Sequence, residues 1–433
     1  MIKYWCLEVN CMKVGIYSLG CKVNIYESEY VTNLLKEHGY EIVDFDSKAD
    51  IYIINTCSVT NESDKKSRKI INRARKNNQE ACIIVMGCYS QVSSDDVEAD
   101  IILGNKDKSK IIELIEDYFE KKEKKKLIYD LTKVEFEDME IHSFENHTRG
   151  FVKVQDGCNA FCSYCIIPYT RGRVRSKKLD SVIKEVTNLV NNGYKEIVLT
   201  GIHTGRYGID INSSLEELLS KLVQIPGIFR IRLSSIEINE ITPGIIKLLK
   251  ENNIMAKHLH VPIQSGSNKI LKLMNRRYNK EEFLSMIDNL KEIPEISLTT
   301  DLIVGFPHET DEDFNETIDT LKKIGFTKIH TFPYSRRKGT PADRMDEQIP
   351  SEIKKERVHK ILELSNEYEG IYYKSKIGKV YDGVVERHNN GDTIIHTSNF
   401  IPVIVNNTNL NNNDIVKVKI EKVDNLKVYG GIL

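Results

Sequence analysis

The first part of the chain alternates short apolar runs with longer stretches in which apolar residues recur every three or four positions. The runs have the length of strands, and the recurrence has the period of amphipathic helices. We predict strands at residues 14–19, 50–55, 82–86 and 100–103, and helices at 24–38, 62–77 and 107–119. This alternation is typical of a small parallel α/β sheet. We therefore expect an N-terminal α/β domain over residues 12–128.

One charged segment lies at the end of this domain and a second lies beyond it. Residues 121–126 are mostly lysine, and residues 135–145 are irregular and acidic. Such runs are typical of solvated segments, so we expect a linker at 129–149.

Six further strand–helix repeats occupy residues 150–350. The predicted strands are 151–155, 196–200, 230–234, 258–263, 298–305 and 328–332, and helices such as 181–192 and 311–324 lie between them. Repeated βα units close around an interior, and six of them predict a partial barrel with its active site at the carboxyl ends of the strands.

The chain changes character after a charged connecting helix predicted at residues 351–376. Residues 377–433 alternate β-favouring segments with turns, at 379–386, 393–396, 401–405, 415–423 and 427–430. This predicts a small five-stranded antiparallel β-barrel, an architecture often used to bind oligonucleotides. A protein-docking module fits the composition equally well.

The overall composition narrows the classes of function. The 433 residues carry a net charge of −1, so any contact with nucleic acid depends on local basic patches. Nine cysteines, an odd number, do not suggest a disulfide framework and favour a reducing compartment. Residues 1–11 read as a short extension or an upstream start and lack a signal-peptide pattern. We expect a cytoplasmic protein without membrane contact.

Three cysteines with the spacing C-x-x-x-C-x-x-C follow the first predicted barrel strand. Cys158, Cys162 and Cys165 lie in a segment with loop residues such as Gly157 and Ser163. Three thiolates can hold three irons of a 4Fe–4S cluster and leave the fourth iron open, whereas electron-transfer clusters normally use four cysteines. Zinc is the alternative, but a structural zinc site needs four closed ligands, and no further ligand follows at a suitable spacing.

A second set of cysteines follows three strands of the predicted N-terminal sheet. Cys21, Cys57 and Cys88 each stand just beyond a strand, after a glycine or a polar residue. Because parallel strands end at one edge of a sheet, where ligands bind, we expect a second three-cysteine site there. Ordinary burial in a strand is the alternative, and it fits Cys82.

These motifs resemble those of the radical S-adenosylmethionine methylthiotransferases over almost the whole chain from Lys13. The segments that carry the resemblance are 18–24 (SLGCKVN), 55–57 (NTC), 87–88, 157–168, 171–172, 175–176, 260–267 (HVPIQSGS) and 301–307 (DLIVGFP). The C-terminal barrel is similar to the TRAM domain of that family. One departure is His308, where the family usually has glycine, and a loop tolerates it if the backbone needs no positive φ.

The family has branches with different substrates. Residues 21–24 (CKVN), 57–61 and 200–205 resemble the branch that modifies threonylcarbamoyladenosine next to the anticodon of tRNA. The alternatives are the branch for isopentenyladenosine in tRNA and the branch for an aspartate of a ribosomal protein.

The resemblance implies a reaction and two 4Fe–4S clusters. Cys158, Cys162 and Cys165 would hold the cluster that cleaves S-adenosylmethionine to a 5′-deoxyadenosyl radical, which abstracts the hydrogen from C2 of the adenine. Cys21, Cys57 and Cys88 would hold the cluster that supplies the sulfur, which a second S-adenosylmethionine methylates. The candidate contacts to this cofactor, each of which could instead be structural, are Tyr164, Thr200, Gly201, Ser235, Glu237 and Gln264.

The implied partners are the tRNA anticodon stem-loop, a reductant such as flavodoxin or ferredoxin, and a sulfur source, with the enzyme acting as a monomer. The candidate RNA-binding residues are Lys65, Lys66, Arg68, Lys69, Arg73 and Arg75 of one helix, then Arg336, Arg337 and Lys338, and more weakly Lys417 and Lys419. Rival classes are a cobalamin-dependent radical enzyme, although no D-x-H-x-x-G motif occurs, and an iron–sulfur protein that binds RNA without catalysis.

Overall fold

The computed structural model describes residues 11–145, 147–389, 391–406 and 409–433. The predicted extension at 1–11, with Cys6, lies almost entirely outside the described residues. Contact density divides the chain into two compact units. The first contains the residues up to Glu145 together with Gln155–Phe161 and Cys165–Lys177, and the second contains the remainder. The domain boundaries given above remain predictions.

The first unit contains a six-stranded sheet with helices between its strands. Its strands are β1 (Lys13–Ser18), β2 (Glu41–Val43), β3 (Ile51–Thr56), β4 (Cys82–Gly87), β5 (Ile101–Leu103) and β6 (Lys125–Leu127). Its helices are α1 (Lys22–Glu37), α2 (Asn61–Asn77), α3 (Cys88–Val92) and α4 (Ile111–Lys121). All strands are parallel, in the order β2-β1-β3-β4-β5-β6, which confirms the predicted sheet.

Two short edge strands of this sheet are absent from the sequence-based prediction. Strand β2 follows α1, and β6 includes Lys125 and Lys126 of the lysine-rich run, for which a solvated segment is expected. Strand β6 pairs with β5, so these two residues belong to the sheet and are not part of a solvated segment. Lysine on an edge strand is common because its charge discourages pairing with another chain.

Burial on both faces explains why β3 and β4 read as continuous apolar runs. Every residue of these two strands is buried, as is typical of central parallel strands covered by helices. Ile51 and Ile53 face one apolar cluster, and Tyr52 and Ile54 face the other. This alternation places the helices on opposite faces and leaves the carboxyl edge of the sheet for the loops.

The predicted barrel strands are all present. The strands are β7 (Gly150–Asp156), β8 (Arg175–Ser176), β9 (Glu196–Gly201), β10 (Arg230–Leu233), β11 (His258–His260), β12 (Ser297–Val304) and β13 (Lys328–Pro333). The helices are α5 (Ile167–Arg171), α6 (Leu179–Asn191), α7 (Leu215–Leu222), α8 (Pro243–Glu251), α9 (Asn268–Leu273), α10 (Lys280–Lys291), α11 (Asp311–Ile324) and α12 (Ser351–Lys374). The short strand β8 and the last two residues of β7 belong to the first unit, and α5 does too.

These strands form two sheets with the orders β10-β9-β7-β8 and β11-β12-β13. Isolated parallel bridges join Ile231 to Met255 and Ser235 to His260. They place β10, at the edge of the first sheet, next to β11, at the edge of the second. The order of the six predicted strands is therefore that of a partial βα barrel. Among the described residues, no helix combines the length and the apolar character that crossing a bilayer requires.

The C-terminal strands close into a five-stranded barrel. They are β14 (Val380–Asn389), β15 (Asp392–Thr397), β16 (Pro402–Asn406), β17 (Ile415–Asp424) and β18 (Lys427–Ile432), in the closed order β14-β15-β16-β18-β17. The predicted barrel is confirmed, with one difference. Strands β16 and β18 pair in parallel, whereas the other pairs are antiparallel.

His308 adopts a backbone conformation that favours glycine. From the sequence, histidine is expected to replace glycine easily here if the backbone needs no positive φ. The φ of His308 is +65°, so this condition is not met. Its ring contacts two carboxylates, at 2.7 Å from Glu347 and 2.9 Å from Asp346. Histidine is also among the residues that enter the left-handed region more often than most.

A buried ion cluster within the second unit joins the partial barrel to the small barrel. Glu196 accepts hydrogen bonds from Arg230 at 3.0 Å and from Arg232 at 2.7 Å. Arg232 also donates to the Thr397 carbonyl at 3.2 Å, and Arg230 donates to the Asp382 carbonyl at 3.0 Å. The two guanidinium groups overcome the effect of burial and hold the pKa of Glu196 down at about 2.

We expect Glu196→Ala to lower the free energy of unfolding by about 3–5 kcal/mol, because it leaves two buried arginines without their anion. Urea unfolding followed by circular dichroism measures this. The ionised Glu196 contributes fully above its ordinary pKa of 4.5, and this contribution is lost as the pH falls from there towards about 2. The control is Glu292→Gln, which removes an exposed pair with Lys250 and should change little. Equal losses in both variants would contradict the assignment.

Candidate functional site

The three cysteines predicted to converge lie at one edge of the N-terminal sheet. Cys21 follows β1 and caps α1, Cys57 follows β3, and Cys88 follows β4 as the first residue of α3. Strands β1, β3 and β4 are neighbours, and in their register the three strands end within one residue of each other. The carboxyl ends of these strands therefore bring the three thiols to one place. Cys82 is different, because it is buried at the start of β4.

The loops that carry these cysteines are in close contact. Gly20 has a φ of +102°, and a Cβ atom there would lie 2.9 Å from the Cβ and 3.0 Å from the Sγ of Cys57. The glycine is thus needed both for its conformation and for the close approach. Asn24 links the same loops, since its Nδ2 donates to the carbonyls of Leu19 at 2.7 Å and Thr56 at 2.9 Å.

The thiols also influence each other electrostatically. Burial raises the pKa of Cys21 and of Cys57, and the neighbouring thiols of the group add to the rise. Cys57 and Cys88 are buried, whereas the surface of Cys21 is exposed to solvent. Protein atoms surround Cys21 on its other sides, and they desolvate its thiolate enough to raise its pKa. The group therefore has one accessible side, at Cys21.

A buried arginine contacts this group. The Nε of Arg171 lies 3.3 Å from the Sγ of Cys88, and its Nη2 donates to Asn24 Oδ1 at 2.7 Å. Its positive charge lowers the pKa of Cys21 and of Cys57 against the effect of burial. In the sequence, Arg171 stands only as part of an arginine–glycine pair after the cysteine loop, and nothing local indicates its contact with Cys88.

The loop with the C-x-x-x-C-x-x-C motif has residues that belong to the first unit and residues that belong to the second. Cys158 and Cys165 belong to the first unit, in which the Cys158 amide donates to the Gly172 carbonyl at 3.0 Å. Gly157 has a φ of +73°, and a Cβ atom there would lie 1.9 Å from the Arg173 carbonyl oxygen. This position accepts only glycine, so the glycine sets the start of the loop.

Cys162 belongs to the second unit and lies beside an arginine that the sequence reading missed. Arg276 Nη1 lies 3.4 Å from the Sγ of Cys162, and Arg276 Nη2 forms an ion pair with Glu237. Ser163, the next residue, donates from its amide to the Met274 carbonyl at 3.0 Å. Glu237, a predicted cofactor contact, is thereby connected through one side chain to a predicted cluster ligand.

The other predicted cofactor contacts lie in the second unit, and most follow barrel strands at their carboxyl ends. Thr200 and Gly201 end β9, and Ser235 follows β10 as an exposed residue. Gln264 has a φ of +64° and lies between β11 and β12, where its amide donates to the Asp301 carbonyl at 3.0 Å. Tyr164 packs against a buried apolar cluster that includes Met274 and Phe306, which fits its structural alternative.

The predicted basic surface on α2 is partly engaged within the first unit. Arg73 pairs with Asp46, Arg75 pairs with Asp100 at 2.8 Å, Lys65 pairs with Glu62 at 2.7 Å, and Arg68 donates to the Tyr89 hydroxyl at 3.0 Å. Lys66 and Lys69 are exposed. In the second unit Arg337 is buried, which argues against a phosphate contact at that residue, whereas Lys338, Lys417 and Lys419 are exposed.

Within the described parts of the chain, no group of three or more His, Cys, Asp or Glu side chains surrounds the position of a single metal ion. Such a group is the compact ligand shell of one ion, such as structural zinc. In a 4Fe–4S cluster each cysteine binds a different iron, so its three sulfurs lie farther apart.

Comparison with known protein families gives two matches. The model of the Radical SAM superfamily matches residues 152–321, and that of Uncharacterized protein family UPF0004 matches residues 13–112. The first match covers the cysteine loop and the partial barrel except β13, and the second covers β1–β5 of the parallel sheet with Cys21, Cys57 and Cys88.

Solved structures share the fold. The radical S-adenosylmethionine methyltransferase TsrM from Kitasatospora setae superposes with a TM-score of 0.57 at 15% identity, over 77% of each chain. The cobalamin-dependent S-adenosylmethionine radical enzyme OxsB has a TM-score of 0.50 at 14% identity, over 81% of this chain and 56% of that chain. At such identities the likeness concerns the fold alone.

Curated relatives are similar over almost the whole chain. The threonylcarbamoyladenosine tRNA methylthiotransferase MtaB of Bacillus subtilis is 42% identical over 94% of both chains. Its namesake from Aquifex aeolicus is 39% identical over 90% of this chain and 96% of its own. The tRNA-2-methylthio-N(6)-dimethylallyladenosine synthase of Acetivibrio thermocellus is 36% identical over 88% of this chain and 82% of its own. With these relatives and both family matches, the chain belongs to the radical S-adenosylmethionine tRNA methylthiotransferase family.

Proposed function

We propose that this protein adds a methylthio group to C2 of threonylcarbamoyladenosine next to the anticodon of tRNA. The observation that carries the proposal is the gathering of Cys21, Cys57 and Cys88 at one sheet edge, in a chain that also has the radical SAM cysteine motif. The choice of nucleoside rests on the relatives at 42% and 39% identity that bear this name and on residues 21–24.

The two sets of three cysteines suit two 4Fe–4S clusters, each with one iron free of protein ligands. Cys158, Cys162 and Cys165 would hold one, and Cys21, Cys57 and Cys88 the other. When bound, the clusters and S-adenosylmethionine supply the radical and the sulfur. The exposure of Cys21 supports this proposal, because an iron that must reach substrate needs an open side.

The protein's own residues would orient these groups. Arg276 donates towards the Cys162 sulfur and fixes the Glu237 carboxylate, so it can position both a cluster ligand and a candidate contact to S-adenosylmethionine. Gly157 sets the direction in which the cysteine loop leaves β7. Thr200, Gly201, Ser235 and Gln264 would line the cofactor site from the strand ends, where barrels of this type bind ligands.

The tRNA contact would combine local basic residues with the shape of an unpaired loop. Bases of the anticodon loop are unstacked easily, so the target adenosine can enter a pocket without melting a duplex. Exposed Lys66, Lys69, Lys338, Lys417 and Lys419 are the candidate phosphate contacts. The reaction also needs a reductant such as flavodoxin or ferredoxin and a sulfur source, and we propose a monomeric enzyme.

Mass spectrometry of tRNA nucleosides from a strain that lacks this gene tests the substrate. We expect the methylthio form of threonylcarbamoyladenosine to disappear and threonylcarbamoyladenosine without the methylthio group to accumulate. The wild-type gene should restore the methylthio form. Unchanged levels of this methylthio nucleoside would contradict the proposal.

The second candidate is the same chemistry on isopentenyladenosine. It is favoured by relatives from Acetivibrio thermocellus and Clostridium tetani, each 36% identical and each named as a tRNA-2-methylthio-N(6)-dimethylallyladenosine synthase. The same measurement separates the two, because loss of the methylthio form would then affect isopentenyladenosine. If the substrate is a ribosomal-protein aspartate, both nucleosides keep their methylthio forms in the strain that lacks the gene. The ribosomal protein from that strain then lacks the mass of one methylthio group.

A further inference from the structure

Arg171 is a fully buried arginine at the end of the short helix α5, and its five N–H donors all have acceptors within the first unit. Nη1 donates to Glu27 at 2.6 Å and to Asp156 at 3.3 Å. Nη2 donates to Asn24 Oδ1 at 2.7 Å and to Glu27 at 3.2 Å. The remaining donor, Nε, points at the Cys88 sulfur at 3.3 Å.

Two buried carboxylates also contact the guanidinium group, but each of them is shared with another buried cation. Glu27 pairs with Arg171 and with Lys108, and Asp156 pairs with Arg171 and with Arg175, so two buried carboxylates serve three buried cations. A neutral thiol is a weak acceptor, whereas a thiolate bound to iron is a strong one. The direction of Nε therefore suits a ligated sulfur better than a free thiol.

The Asn24 contact extends the influence of Arg171 to the other two cysteine loops. Asn24 Oδ1 accepts from Arg171, so its Nδ2 must face the carbonyls of Leu19 and Thr56, to which it donates. Leu19 lies in the loop of Cys21, and Thr56 directly precedes Cys57. One guanidinium group thus contacts one cysteine directly and fixes the loops of the two others through a single amide.

We propose that Arg171 is a positioning residue of the N-terminal iron–sulfur site, which donates a hydrogen bond to the Cys88 ligand sulfur and sets the spacing of the Cys21 and Cys57 loops through Asn24. This rests on the proposed function, because it requires that these three cysteines hold a cluster. Partners that orient metal ligands commonly change metal affinity about 10–100-fold when mutated. Hydrogen bonds to cluster sulfurs also change the reduction potential.

The test uses the full chain with Cys158, Cys162 and Cys165 replaced by alanine, so that only the N-terminal site can hold a cluster. Arg171→Lys is introduced into it, since lysine keeps the charge but loses the planar fork. We expect iron release to a chelator to become at least about 10-fold faster. Redox titration by electron paramagnetic resonance of Arg171→Gln should give a more negative potential, because a hydrogen bond and a positive charge that favour the reduced cluster are lost.

Arg175→Lys is the matched control. Arg175 is also buried, lies in the same segment and pairs with the same Asp156, but donates to the Leu131 carbonyl and not to a cysteine. We expect it to leave iron release unchanged. Equal acceleration in both variants, or a wild-type release rate in Arg171→Lys, overturns the proposal. If Arg171→Gln does not fold, the iron-release rate of Arg171→Lys still tests the proposal.

Failure of the underlying function has a different result. If the chain without Cys158, Cys162 and Cys165 holds no iron–sulfur cluster after reconstitution, the N-terminal site itself is wrong. If it holds the cluster and the Arg171 variants behave like wild type, only the role of Arg171 is wrong.

Discussion

Replacing Cys21 with alanine will abolish methylthiolation of tRNA while the protein continues to cleave S-adenosylmethionine. Cys21 is one of the three thiols at the N-terminal sheet edge, and a cluster that loses one of its three protein ligands should not remain competent for sulfur transfer. The substitution should be mild for folding, because Cys21 is exposed and its side chain makes no capping hydrogen bond to α1.

The measurements are nucleoside mass spectrometry for the product and liquid chromatography for 5′-deoxyadenosine. Cys11→Ala is the matched control, since Cys11 is also exposed but lies before β1. It should form product at the wild-type rate. Full product formation by Cys21→Ala would remove Cys21 from the site.

Removing either cysteine triad will halve the iron content of the reconstituted protein. Two 4Fe–4S clusters predict about eight irons per chain, and about four in each triple-alanine variant. The two variants should lose different functions. Without Cys158, Cys162 and Cys165, cleavage of S-adenosylmethionine should be lost, whereas without Cys21, Cys57 and Cys88 it should persist without sulfur transfer.

Iron and sulfide assays with the cleavage assay check this expectation. Cys82→Ala serves as the control for loss of a cysteine, because Cys82 is buried inside β4. Its iron content should match that of the wild type. Iron near four per chain in the wild type, with no loss on removing Cys21, Cys57 and Cys88, would restrict the protein to a single cluster.

Much of the fold follows from local patterns. The central strands β3 and β4 are buried on both faces, so they stand out as continuous apolar runs, and the barrel strands are separated by amphipathic helices. Short elements do not stand out in this way. Strand β2 has three residues, and strand β6 takes its first two from a lysine run, so each is recognisable only by its pairing with a neighbouring strand. The parallel pairing of β16 with β18 is likewise decided by closure of the barrel.

The six candidate iron ligands can be proposed from sequence alone, because the spacing of Cys158, Cys162 and Cys165 and the strand-end positions of Cys21, Cys57 and Cys88 are local properties. The side chains that surround these cysteines, by contrast, come from distant parts of the chain and are known only from the folded protein. Arg171 reaches Cys88 across 83 positions of sequence and Asn24 across 147. Arg276 reaches Cys162 across 114. Contacts of this kind leave no periodic pattern, since they depend on where separate chain segments pack and on the need of each buried charge for a partner.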